Sequence, residues 1–242
     1  MTLVIALACK DGIVMASDGQ VTGGSAGGYV RFHSQKIFKI NDNVLFGASG
    51  NIGTIQRALA IVQAFSQQLM EEMDYQKMEQ IRIELFKIYK NEIDRHKAFY
   101  KDTDVESIKH APISDIIISK FKGDESFIWH ISPDCSDELL QDIGYACTGS
   151  GDVFAYTILK NFNIKKLNVD RGKIIAFRVI KEAIEIGAFG LGEPIDIWTI
   201  TDKGVKRLST EEIEALSETY SLWKKMEEEL FNKLAIKGSF LE

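Results

Sequence analysis

Proline and cysteine are scarce in this chain, with 3 of each among 242 residues. Three cysteines, Cys9, Cys135 and Cys147, cannot all pair, and their spacing fits no zinc-binding pattern. The odd count and wide separation point to a reducing compartment, in which Cys9 and Cys147 act as small buried hydrophobes. Four scattered histidines add no metal cluster, so neither a metal nor a cofactor is expected. Long hydrophobic runs are missing as well. None approaches the roughly 18–20 residues of a membrane-spanning helix. The run from Thr2 to Cys9 has no basic residues ahead of it and is cut by Lys10 and Asp11, which excludes most signal-peptide readings. A cytoplasmic location is the expectation. Basic charge is also short. Lys and Arg number 29 against 35 Asp and Glu, a net charge of −6, so no basic face for nucleic acid is expected.

What remains is ordinary globular composition. Forty-five per cent of residues are apolar and 26% charged, which rules out disordered and fibrous classes. No composition shift or linker divides the chain, and one domain over residues 1–242 is expected. Residues 3–9 are a nearly unbroken apolar run and read as a strand buried on both faces. Asp11-Gly12 then joins them to Ile13–Ala16, a strong signal for a hairpin with a type I′ turn. Gly23–Gly28 reads as a flexible loop. It lacks the Gly-Lys-Ser/Thr ending of a phosphate-binding loop. Strands around 36–40 and 44–49 follow, separated by Asn41-Asp42-Asn43. Helical spacing of Ile52, Ile55, Leu59, Val62, Phe65 and Leu69 predicts a helix over 51–72, and a second amphipathic stretch covers 76–99. Strands return over 115–121, 126–131 and 143–148, then helices over 152–162 and 169–187, then strands over 194–200 and 205–207. Ser209-Thr210-Glu211-Glu212 opens a last helix that runs to about residue 235. Hairpins alternating with paired helices predict an α+β chain. Two antiparallel sheets packed face to face, with a helix pair on each outer face, would bury every apolar stripe.

Thr2 follows the initiator Met1 directly. Removal of Met1 leaves a threonine that carries a nucleophile, its hydroxyl, and a base, its α-amine, in one residue. An α-amine has a reference pKa of about 7.7–8.0, close to working pH. Taken alone, Thr2 reads as merely the second residue of a protein. The hairpin bears on that choice. With Asp11-Gly12 as the turn, residue 10 faces 13 and Thr2 faces Val21. Asp18 then lies three positions along, about 10 Å of backbone. Asp18 is placed to orient a cation beside Thr2, or else is an exposed turn carboxylate. Such a cation would lower the amine's pKa and stabilise developing negative charge. Lys36 and Lys39 both qualify, and both also read as surface lysines.

Taken together, four blocks resemble the proteasome β-subunit family. They are Thr2-Leu3-Val4 with Cys9–Asp18; Gln35-Lys36-Ile37-Phe38-Lys39-Ile40; Gly47-Ala48-Ser49-Gly50-Asn51-Ile52-Gly53; and Tyr145–Gly151 with its Gly149-Ser150-Gly151 turn. Asp18-Gly19-Gln20 is also similar to the peptidase subunit of the bacterial two-component ATP-dependent protease. The resemblance runs in order over about residues 2–200. It implies an N-terminal-nucleophile hydrolase with a four-layer α/β/β/α sandwich, acting on peptides or unfolded protein. It implies Thr2 as nucleophile, Lys36 as the adjacent cation, Asp18 as partner of Lys36, the Gly50 N–H as oxyanion donor and Ser150 near the α-amine. Val21, Ala48 and Ile52 fall where the family lines its first specificity pocket, and the small Ala48 would admit a bulky apolar side chain. Self-association into rings is implied, and an ATPase regulator is admitted as a partner. No helix precedes the first strand, which favours the β-type over the α-type subunit.

Two departures stand against that pattern. The family usually carries an Asp, then a Ser three residues on, in the stretch that corresponds to Gly187–Pro194, and this chain has neither. The acidic helix from 209 also extends beyond the usual core, either to contact other subunits or to cover a sheet edge. Three functions follow as expectations. The first is a threonine peptidase; the second, a ring-forming subunit without activity; the third, an amidase or transpeptidase with a specific acyl donor, since one nucleophile serves all acyl transfer.

Overall fold

The seven residues of β1 (Leu3–Cys9) are all buried, and they belong to two different cores. Val4, Ala6 and Ala8 point between two sheets, where Ile13, Met15, Ile37, Leu45, Ile117 and Ile128 meet them. Leu3, Ile5, Leu7 and Cys9 point the other way, under helices. Side chains alternate along a strand, so a strand covered on both faces must be apolar throughout. The computed structural model describes residues 2–25, 28–71, 75–101, 112–187 and 190–237.

One five-stranded antiparallel sheet holds β1, β2 (Gly12–Asp18), β10 (Tyr145–Gly149), β11 (Ile195–Thr201) and β12 (Gly204–Arg207), in the order β10-β1-β2-β11-β12. The other holds β5 (Ile37–Asn41), β6 (Val44–Gly50), β7 (Ser114–Lys122), β8 (Glu125–Ile131) and β9 (Asp137–Leu139), in chain order. Outside the second sheet lie α1 (Ile52–Ala64), α2 (Ser66–Glu71) and α3 (Tyr75–Tyr100). Their Ala58, Val62, Leu69, Met78, Ile81 and Leu85 close a core with Phe46, Ile116, Ile118 and Trp129. Outside the first sheet lie α4 (Asp152–Leu159) and α5 (Val169–Ile186), which contribute Ala155, Leu159, Ala176, Val179, Ile180 and Ala183. The result is an α/β/β/α sandwich of two antiparallel sheets.

Helix ends follow local chemistry. Asn51 accepts from Thr54 N at 3.1 Å to start α1, and Asn168 accepts from Arg171 N at 3.1 Å to start α5. The Ser209 and Glu212 signal closes as a reciprocal capping box, with Ser209 N donating to Glu212 Oε2 at 2.9 Å and Glu212 N to Ser209 Oγ at 3.3 Å. It starts α6 (Thr210–Lys237). This helix packs on α5 rather than over a sheet edge. Tyr220 sits on Phe177 with ring centroids 6.0 Å apart, and the Arg178 guanidinium lies 4.4 Å from the centre of the Trp223 ring.

Three expectations need correction, and one strand is not foreseen. Gly23–Gly28 is not simply a loop, because β3 (Gln20–Ser25) and β4 (Gly28–His33) pair there as a two-stranded ribbon; residues 26 and 27 lie outside the described residues. The first hairpin turns at Lys10-Asp11, with Cys9 opposite Gly12 and Val4 opposite Ser17. Asp11 is needed elsewhere, since its carboxylate accepts from Val169 N at 2.8 Å ahead of α5. Gly12 sits under the Ile200 carbonyl, where a Cβ would come within 2.3 Å of the oxygen. The helix expected over 51–72 breaks at Phe65, between α1 and α2. The short β9, held by Trp129 opposite Leu139, carries too little pattern to be read in advance.

Candidate active site

Thr2 lies at the start of β1, where the first sheet meets the end of the second. The corrected hairpin register sets Asp18 beside Leu3 rather than three positions from Thr2. Leu3 N donates to Asp18 Oδ1 at 2.9 Å. The Asp18 carboxylate is wholly buried, and its other oxygen accepts from Gln20 N and Gly192 N, each at 3.3 Å. Buried carboxylates persist as anions only with such donors and a paired cation. The cation is Lys36, just ahead of β5. Its Nζ reaches Asp18 Oδ1 at 2.5 Å and the Gln20 carbonyl at 2.8 Å, with the side chain only 5% exposed. Burial pushes the Lys36 ammonium below its ordinary pKa, and the charge of Asp18 opposes that shift. Lys39 points elsewhere and pairs with Asp42 on the surface, both well exposed.

The turn after β10 meets Thr2 from the other side. Thr2 N lies 3.3 Å from Ser150 Oγ, and Ser150 Oγ lies 3.3 Å from the Thr2 carbonyl oxygen. Gly149 makes this approach feasible. It has φ +105, and a Cβ there would sit 2.1 Å from the Thr2 carbonyl oxygen. Beneath the turn, Ser49 Oγ and Thr148 Oγ1 are hydrogen-bonded at 2.8 Å and tie the two sheets together.

A cavity of about 350 Å³ opens in front of Thr2. Thr2, Lys36 and Gly50 line it, as do Val21, Ala48 and Ile52, with Phe38 and Ile55 adding apolar surface and Gln35 and Gln56 polar surface. Apart from Lys39, every residue singled out from the sequence for the site is at this cavity or hydrogen-bonded to a residue that is. Four contributors escaped the sequence: the Gln20 carbonyl and the N–H groups of Leu3, Gln20 and Gly192. Backbone groups carry no side-chain signature, so no motif could announce them. They answer the missing Asp and Ser in part. The stretch around 187–194 still reaches the site, but through its main chain. Gly192 N binds Asp18, and Gly19 N donates to the Gly192 carbonyl at 3.0 Å. Residues 188 and 189 lie outside the described residues. Among the described residues no group of His, Cys, Asp and Glu is arranged to hold a metal ion, and no helix is long and apolar enough to cross a membrane.

Comparison with known proteins points one way. A family model described as proteasome subunit matches residues 2–200. A protein named proteasome subunit beta from Ferroglobus placidus is 27% identical over 220 residues, spanning 90% of this chain and 94% of that protein. The proteasome subunit beta of Methanobrevibacter smithii is 25% identical over 213 residues, covering 88% and 93%. That of Methanococcus aeolicus is 27% identical over 222 residues, covering 89% and 91%.

Proposed function

The chain belongs to the proteasome subunit family, and from that premise we propose that it is a threonine-type peptidase working inside a self-assembled ring. One convergence carries the reading: Thr2, the buried Lys36–Asp18 pair, Gly50 and Ser150 around one cavity. Removal of Met1 frees the Thr2 amine. Thr2 Oγ then attacks the substrate carbonyl carbon and passes its proton to that amine. The Gly50 N–H faces the oxygen that gains negative charge, and the Lys36 ammonium stabilises the same charge and lowers the amine's pKa. Collapse of the tetrahedral intermediate breaks the C–N bond, the ammonium returns the proton to the departing amine, and an ester remains on Thr2. Water, deprotonated by the same amine, hydrolyses that ester. Val21, Ala48 and Ile52 give the pocket an apolar wall suited to a bulky apolar residue before the cleaved bond. After removal of Met1 the rest of the chain, α6 included, acts as one unit in this proposal.

The missing Asp and Ser near 187–194 favour a second reading, a ring-forming subunit without activity. The amide of Gly192 on Asp18 argues against it, because the buried pair keeps its support. Intact-mass measurement separates the two. Mature protein lacking Met1 that gains the mass of an acylating probe, with none gained by Thr2→Ala, supports the peptidase. Unmodified wild type with Met1 retained overturns it. An amidase or transpeptidase would accept the probe but spare peptides with apolar residues before the scissile bond.

A further inference from the structure

A second cluster of ionisable groups lies behind the proposed catalytic centre, and the chemistry above does not use it. His130 on β8 and Asp115 on β7 are hydrogen-bonded, with Nε2 2.6 Å from Oδ1 and side chains 15% and 25% exposed. Both face the space between the sheets. Asp115 shares a face with Ile117, which belongs to the inter-sheet core, and His130 is paired opposite Ile117. Glu138 on β9 is paired opposite His130. Asp152, in the first turn of α4, completes the charged surroundings, two residues after Ser150. The strands β1 and β10 that pack against β8 bring no charged side chain to this point. Asp137 lies on the opposite face of β9, where it binds Trp129 Nε1 and Arg82. The ring therefore has Asp115 as its hydrogen-bond partner, Glu138 across the ladder, and the charge of Asp152 acting on it.

These groups stand on the segments that shape the site. Asp115 is paired with Ser49, next to Gly50, and Ser49 is bonded to Thr148. The Gly50 peptide rests on the start of β7. Asn51 N donates to the Ile113 carbonyl at 3.0 Å, and a Cβ at Gly50 would meet that carbonyl oxygen at 2.5 Å. Ser114 is pinned on the far face by Tyr89 Oη at 2.7 Å. Residues 113–115 thus form a ledge held from both sides of the sheet, with His130 as one of the two holds.

We propose that His130 is a positioning residue: its protonated ring holds Asp115 at the start of β7 and, through Ser49 and Thr148, sets the Gly50 N–H and the Ser150 turn about Thr2. This rests on the peptidase reading. Loss of the ring's proton leaves the half-buried Asp115 without its charged partner, and the charges of Asp152 and the exposed Glu138 add repulsion there. The ledge and the turn then relax, and transition-state stabilisation falls. Burial opposes the charged ring, but the hydrogen bond to Asp115 and the charges of Asp115, Glu138 and Asp152 outweigh it and hold its pKa above the ordinary 6.5.

The test pairs peptide hydrolysis with hydrogen exchange, on the full assembly, as a function of pH. Wild-type kcat, divided by the fraction of Thr2 amine that is deprotonated, should fall roughly fivefold at high pH as His130 titrates, the low end of coupling between sites. KM should hold, since only the transition state uses the oxyanion donor. His130→Lys keeps a cation and should abolish the high-pH fall. His130→Gln should have low kcat at every pH and no such fall. A high-pH fall that persists unchanged in both variants overturns the proposal, as does His130→Lys behaving like His130→Gln in a folded state. Exchange gives a readout without turnover. After correction for intrinsic rates, residues 48–51 and 147–151 should exchange faster above the titration than below it in wild type, and equally in His130→Lys. An inactive protein that shows this contrast defeats the peptidase reading alone; an active one without it defeats the role of His130 alone.

Discussion

At the scale of single residues, Lys36 and Lys39 separate two environments that look alike in sequence. Lys36 is 5% exposed and held by Asp18, whereas Lys39 is an exposed partner of Asp42. Lys36→Ala should lower kcat/KM by about 2.7–4 kcal/mol of transition-state stabilisation. It should also cost stability, because it strips a buried carboxylate of its cation, a change worth about 3–5 kcal/mol. Three N–H donors remain on Asp18, which places the loss at the low end. Lys39→Ala should be nearly silent, as exposed pairs are worth about 0–1 kcal/mol. Equal kinetics for the two variants in a peptide assay at a temperature where both are folded would remove Lys36 from the mechanism. Thr2 carries the second prediction. Thr2→Ala removes Oγ and keeps β1 intact, so hydrolysis should vanish with little change in Tm. Thr2→Ser keeps a hydroxyl beside the amine and should retain activity. A bulky residue inserted after Met1 should be as damaging as Thr2→Ala, because Thr2 N would then be a non-basic amide. Full activity with Met1 attached, read by mass spectrometry on the assayed sample, contradicts the mechanism.

At the scale of elements, α6 is held to the sandwich by apolar packing of Ile213, Leu216 and Tyr220 and by aromatic and ionic contacts centred on Trp223. Trp223 meets Phe162 edge-on at 6.2 Å, lies under Arg178, and donates from Nε1 to Glu227 at 2.7 Å; Glu227 also binds Arg178 at 2.6 Å. Trp223→Ala removes the ring that these groups share. A half-buried aromatic with a cation on its face is worth about 2 kcal/mol. The variant should unfold at lower denaturant concentration, with unchanged peptide kinetics under native conditions. An unaltered midpoint would show that α6 does not depend on this contact. The hairpins show why some turns are readable and others are not. Gly123 and Asp124 both have positive φ, 58° and 69°, and join Lys122 to its partner Glu125, so a local signal suffices. The turn after β1 is shifted by contacts to α5 and β11 that only the fold brings near.

At the scale of the whole molecule, three cores are stacked, and the site lies where the two central sheets meet. We expect a closed oligomer with its sites inside, and sedimentation at micromolar concentration should show no stable monomer; a monomer alone would count against the ring. Stability should depend on pH through His130. Its folded-state pKa is raised above the ordinary 6.5, so its contribution is complete below about 6.5 and is lost as pH rises through the folded value. Wild-type Tm should therefore fall over that window relative to His130→Gln. Parallel pH profiles for the two proteins would show that the ring is not held by its carboxylates.

The sandwich and its layers were legible because they rest on periodicity. Leu3–Cys9 reads as a strand covered on both faces, and the spacing of Ile52, Ile55, Leu59 and Val62 or of Met78, Ile81 and Leu85 reads as a helix with one side to bury. Thr2, Asp18 and a lysine at 36 or 39 could be singled out from residue type and order, whereas Gly50 and Ser150 come only from the resemblance to the family. Tertiary structure decided which lysine is buried, because Lys36 and Lys39 differ only in what lies across from them. It also decided the register that sets Asp18 beside Leu3, through contacts from Asp11 to Val169 and from Gly12 to Ile200. The support that Gly192 and Gln20 bring to Asp18, and the carboxylates gathered around His130, come from residues far apart in the chain. Backbone N–H groups are the same at every position but proline, and like charges dispersed in sequence do not repel until the fold assembles them. Local pattern therefore specifies elements, while the electrostatics of the site belongs to the assembled chain.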